Sequence, residues 1–197
     1  EGFEQAIGFA VAARDGDMAR TLLFHYQRQP GLDVKSAAFA VRQLLRTKQT
    51  REAVELVDGL RFDPARPDFF ELLKARCEAW AAAGRVRDSL ALVRRMRRET
   101  PARLDLEELE ASLVEASGDR EEARAIYARV LEKDPKRATA LRALAVLTAA
   151  SGEREPALAL FLRAADADPT DADALVEAAR LTPTAAERES HLRAALR

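Results

Sequence analysis

The 197-residue chain contains one cysteine, two histidines and no asparagine. Cys77 has no partner for an internal disulfide, and with only His25 and His191 beside it the soft ligand set of a structural zinc site cannot be assembled. Aromatic residues make up 6% of the chain, and the β-branched residues that strands favour are sparse. No stretch approaches the roughly 18 uninterrupted apolar residues that a membrane span needs. Neither sign of charge dominates: 32 Lys and Arg face 33 Asp and Glu for a net charge of -1. This removes the bulk electrostatic argument for a general nucleic-acid or anionic-membrane binder. Phosphate-cradling glycine loops, nucleophile elbows and paired-carboxylate motifs are missing as well, and the eight glycines mostly mark turns or ends. These gaps argue against an enzyme, and no metal or cofactor is expected.

What is present points to helix. Hydrophobic residues are 48% and charged residues 33%, enough to bury a sizeable core. The chain is rich in Ala, Leu, Arg and Glu, all strong helix formers. Arginine outnumbers lysine 27 to 5, which together with the missing asparagine reads as the codon bias of a GC-rich bacterial genome. The opening Glu-Gly-Phe-Glu-Gln has no initiator Met. It is read as the start of a piece of a longer protein, in the cytoplasm or periplasm of a bacterium, with any targeting or membrane segment outside it.

A period of 34 residues runs through the middle of the chain. Gly84, Gly118 and Gly152 are spaced by it, and so are Pro101, Pro135 and Pro169. Small residues keep the same step in two columns, Cys77, Ala111 and Ala145, and Ser89, Ala123 and Ala157. Val93, Tyr127 and Phe161 form a bulky column, while Leu73 and Leu141 match across a gap at Glu107. Within one copy Leu141, Leu144, Ala145 and Thr148 trace the apolar stripe of a first helix, Gly152 breaks it, and Ala157, Leu160, Phe161 and Ala164 trace a second. Each copy is a helical hairpin that cannot bury its stripe alone, so neighbours must stack.

The frame extends outward with irregular steps. Ala53 and Val57 match Ser89 and Val93 at a step of 36, the two extra residues fitting the loop at 62–67. Gly16-Asp17 copies the turn at Gly118-Asp119, pairing residues 3–14 with 18–29, and the Leu-Arg-Ala-Ala at 162–165 recurs at 192–195. The expected organisation is a single domain with degenerate pairs at 1–34 and 35–69, three good repeats at 70–103, 104–137 and 138–171, and a degenerate or capping pair at 172–197.

With these columns and this period the chain resembles the tetratricopeptide repeat family. The resemblance implies an all-α fold, an α-solenoid of about six antiparallel helix hairpins wound as a right-handed superhelix. It also implies a protein-binding scaffold with a concave face lined by first helices. Such arrays serve in bacterial cell-envelope, secretion, exopolysaccharide-export and pilus machineries, so an envelope-assembly role is the narrower expectation. The family's clamp for a chaperone tail uses Asn, Lys and Arg; lacking Asn, this chain is not expected to hold such a tail.

On the helical frame the inner face is expected to show Lys35, Phe39, Arg42, Arg46, Lys74, Glu78, Asp105, Glu108, Ser112, Glu115, Arg142, Val146, Glu177 and Arg180. Its charge runs from a basic entry through an acidic middle to a mixed exit, which suits a protein ligand with its own charge pattern. The competing reading is solvated or salt-bridged helix surface. Glu108→Lys and Arg142→Glu are accordingly expected to leave stability unchanged. Arg94, Arg95 and Arg98 share a sector of a second helix and could form a convex basic ridge, although the acidic run that follows is expected to pair with some of it. No aromatic is interleaved there, which disfavours nucleic acid. Self-association, suggested by the closing Leu-Arg-Ala-Ala-Leu-Arg, is the alternative to a peptide-binding role and would make the array a spacer.

Overall fold

The computed structural model describes residues 34–60 and 69–195, together with residues 13, 18, 21 and 22. The helix pair expected over residues 3–29, those four positions apart, therefore lies outside the described residues, as do His25, the 62–67 loop and the side chain of Lys35. Among the described residues there are ten helices and no strand: α1 (Val34–Arg46), α2 (Thr50–Gly59), α3 (Phe69–Ala82), α4 (Val86–Glu99), α5 (Leu104–Ala116), α6 (Arg120–Lys133), α7 (Ala138–Ala150), α8 (Arg154–Ala167), α9 (Ala172–Leu181) and α10 (Ala185–Ala195). They pair in sequence as an all-α solenoid of helical hairpins, the architecture that the periodicity predicts.

The hairpin turns show why the glycines recur. Gly118 at φ 98° puts its own N–H on Glu115 O at 2.9 Å, and Asp119 N reaches back five residues to Val114 O at 3.2 Å. This left-handed closure satisfies carbonyls that the ending helix leaves open. Gly84 and Gly152 repeat it. In the α1–α2 turn the same bonds run from Lys48 N to Leu45 O and from Gln49 N to Leu44 O, with a lysine held at φ 62°. Past the turn, Asp119 caps α6 by accepting a hydrogen bond from Glu122 N at 3.0 Å.

The chain divides into two compact units, Glu1–Leu92 and Val93–Arg197. In the first, Ala37, Val41, Leu44, Ala53, Leu56, Val57, Leu72, Ala75 and Ala79 form one buried cluster. A polar clasp holds its edge. Arg76 donates to the carbonyls of Val57 and Leu60 at the end of α2, where a cation also suits the helix dipole. Trp80 Nε1 donates to Asp58 at 2.8 Å, and the Arg85 guanidinium lies 4.5 Å over the Trp80 ring while pairing with Asp58 and Asp88.

In the second unit, Leu141 packs with Ala164, Ala165 and Ala174, and Ala145 packs with Ala157, Phe161 and Ala178. The small columns are fully buried at Ala111, Ala145, Ala123 and Ala157, as are Cys77 and Ser89 in the first unit. Small side chains there let paired helices approach closely, and Ser89 Oγ donates to Cys77 O at 3.4 Å. Burial pushes the Cys77 thiol up to about 12, so it stays a protonated core residue. The α10 helix differs from the rest in burying no residue.

Candidate functional site: the face of the first helices

The first helices α5, α7 and α9 carry inner-face positions one repeat apart, and a consistent link joins each helix to the start of the next. Glu108 on α5 accepts from Arg137 at 2.8 Å and from the Thr139 hydroxyl. Arg142 on α7, one repeat later, pairs with Asp171 at 3.0 Å and lies 4.0 Å from Asp173. The first unit has the same link at the same offset of 29 residues, Arg42 on α1 to Glu71 on α3 at 3.7 Å. The hydrogen bond that Arg137 donates to Glu108 holds the guanidinium still more firmly protonated.

These links correct one sequence expectation. Glu108 keeps only 15% of its side chain exposed and Arg142 43%, each bridging two elements of the stack. Glu108→Lys would set two cations against each other inside such a bridge, so it is not a neutral surface change.

The remaining expected residues fall in three groups. Around Glu78 the structure gathers Lys74 and Arg42, whose charges partly offset the burial that raises the Glu78 carboxyl, with Glu71 adding to the rise. Phe39 on α1 is half-buried and Arg46 exposed. Asp105 is gripped by Arg103, two residues before it, and Glu177 pairs with Arg180 at 2.7 Å within α9. Burial raises the Glu115 carboxyl, against the pull of Arg120. The column Ser112, Val146 and Arg180 is exposed on all three helices, and Val146 is 45% exposed, one of few large apolar side chains so open. Ser112 Oγ donates to Leu109 O, a bond within its own helix.

The second-helix ridge is divided by the structure. Arg94 is drawn down onto Glu110 at 2.8 Å and Glu122 at 3.0 Å. Its hydrogen bond to Glu110 raises the Arg94 pKa. Arg95 and Arg98 make no ion pair with any described residue and stay exposed. Sequence reasoning gave no site role to Arg97, Arg129 and Lys133, which share one cleft with Arg98. The gap at Glu107 in the Leu73 and Leu141 column was the available signal. Among the described residues no group of three His, Cys, Asp or Glu side chains could hold a metal ion, and no helix is long and apolar enough to cross a membrane.

No curated protein sequence matches the chain significantly. The sequence model of the tetratricopeptide repeat family matches residues 115–181. Among solved structures, a thermophilic tetratricopeptide repeat protein of Thermus thermophilus superposes with a TM-score of 0.63 at 22% identity, over 90% of this chain and 98% of its own. MamA aligns at 0.56 and 13% identity, over 79% of this chain and 92% of its own. YrrB, described as a tetratricopeptide repeat protein with an unusual peptide-binding site, aligns at 0.50 and 17%, over 88% of each chain. The match over 115–181 identifies that stretch as tetratricopeptide repeat sequence, and the likeness to these solved structures shows the same hairpin fold over most of the chain.

Proposed function

We propose that this chain is a non-catalytic scaffold that holds an extended segment or helix of a partner protein along the face of its first helices. The fold itself suggests protein–protein interaction. The observation that carries the choice of face is the open column Ser112, Val146 and Arg180: an exposed apolar side chain between a hydroxyl and a guanidinium, at equal repeat steps. A solenoid presents such equivalent positions as a row, and a partner reads the row by inserting a side chain at each step. The charged neighbours Glu108 and Arg142 remain part of the surface but are committed to the stack first. YrrB, of the same fold, has a peptide-binding site, which supports a peptide as the kind of ligand.

The test compares two baits in lysate of the source organism, the unmodified chain and one carrying Ser112→Arg and Val146→Glu. Both substitutions sit on exposed positions and should change stability by less than about 0.5 kcal/mol. A protein retained by the first and lost from the second supports the reading; a protein retained equally by both places binding on another surface.

For its setting we propose the cytoplasm or periplasm of a bacterium, within an envelope, secretion or exopolysaccharide-export assembly. The arginine-rich, asparagine-free composition and the employment of similar arrays support this. Fractionation of the source organism tests it. A second reading, self-association as a spacer, is favoured by α10, which buries no residue and leaves Leu192 42% exposed. Light scattering across a concentration range separates the two, since a constant monomer mass counts against it.

A further inference from the structure

Away from the first-helix face, the second unit has a cleft of about 440 Å³ between the end of α4 and the end of α6. Its wall is formed by Arg97, Arg98, Pro101, Glu107, Arg129 and Lys133. Four cations around one carboxylate are not a consequence of the repeat frame. One repeat later the positions of Arg97, Glu107 and Lys133 are held by Leu131, Leu141 and Ala167, which are packed together as apolar core.

Two of the four cations are already employed. Arg97 lies 2.7 Å from Glu110, and Lys133 donates to Glu107 at 2.6 Å; both carboxylates are almost wholly buried. Arg98 and Arg129, on different helices, are exposed and pair with no described residue. Two positive charges therefore stand uncompensated at the cleft, beside two carboxylates that are already neutralised. We propose that this cleft receives an acidic segment of a partner protein, whose Asp or Glu side chains engage Arg98 and Arg129.

The chemistry favours that occupant over other anions. A guanidinium fork takes a carboxylate through two parallel hydrogen bonds, and Arg98 and Arg129 offer two separate forks on two helices. Single negative charges spaced along a peptide meet such forks one at a time. A compact phosphate dianion carries its charge at one point, whereas the two unpaired guanidinium groups stand on separate helices. No aromatic side chain lines the cleft, so it gives a nucleic-acid base nothing to stack on. Pro101 supplies an apolar contact for the segment's backbone.

The test is a fluorescence-anisotropy titration at low salt of a labelled peptide of alternating Glu and Ala with the whole chain. The comparison is a cleft variant, Arg98→Glu with Arg129→Glu, and a charge-matched control, Arg120→Glu with Arg193→Glu, at exposed positions outside the cleft. Saturable binding by the unmodified chain and the control, weakened at least about tenfold in the cleft variant, is the expected result. Equal loss in both variants would show attraction to overall charge and overturn the proposal. So would absence of saturable binding to the unmodified chain, or displacement of the peptide by equimolar inorganic phosphate, which would mark a simple oxyanion site. Should the charge reversals disturb folding, Arg98→Ala with Arg129→Ala gives the same readout.

Discussion

Two neighbouring seams of the second unit use one backbone frame with opposite chemistry. At the end of α4 and across α5 and α6, Arg94, Arg97, Glu107, Glu110 and Lys133 form a charged network around two carboxylates that are 8% and 3% exposed. The same positions one repeat on are Ala128, Leu131, Leu141, Leu144 and Ala167. The apolar seam draws its stability from area removed from water. The charged seam must first strip water from its carboxylates, and the Coulomb attraction and hydrogen bonds recovered do little more than offset that cost. The 34-residue frame thus settles where helices lie without settling what holds them, and a repeat can give up an apolar contact where oppositely charged partners replace it.

The largest effect should come from the apolar side. Leu141 is 1% exposed, and Leu141→Ala should cost about 2–5 kcal/mol in chemical denaturation, because its aliphatic neighbours close only partly over the space left. A loss below about 1 kcal/mol would mean the seam does not depend on this packing. In the charged seam, Glu110→Ala takes a carboxylate from both Arg94 and Arg97, but Arg94 keeps Glu122, and the two side chains are 41% and 33% exposed so that water screens them. The expected loss is about 1–2 kcal/mol, shrinking as salt is added. Glu107→Leu sharpens the contrast by installing the residue that the column holds at Leu73 and Leu141. Lys133, half-exposed, can turn to water, so stability should stay level or rise by about 1 kcal/mol. A clear loss would show that the network contributes net stability. The smallest change lies at the α1–α2 turn, where Lys48→Gly relieves a left-handed backbone and should gain about 0.5–1 kcal/mol in a thermal melt.

The turns and the close helix contacts were legible in the sequence because each depends on one residue and its own backbone. Gly118 marks a left-handed turn wherever the chain goes next, and Ala111, Ala145 and Ala157 mark places where only a small side chain fits. Even the offset of 36 residues was visible, and it aligns Lys48 with Gly84. The surface was harder to read because a charge has several neighbours to choose among. Arg94 belongs to the basic run on α4 by sequence, yet the packing gives it Glu110 and Glu122, 16 and 28 residues away. Glu108 and Arg142 looked like open binding residues because their partners sit 29 residues ahead, on the next hairpin. Glu107 did announce itself, as an interruption in a leucine column, but the four cations around its cleft come from two helices and converge only in the folded chain.

Gly118 and Gly152 have one more consequence. A Cβ built on either would meet no atom within 4 Å, so the obstacle to a side chain there is backbone handedness alone. An L side chain has room at both turns and bears only the conformational cost of the left-handed backbone. The turns are therefore points of covalent attachment: a cysteine carrying a dye, placed at the same turn of successive hairpins, would mark the repeat register at the cost of that backbone strain alone.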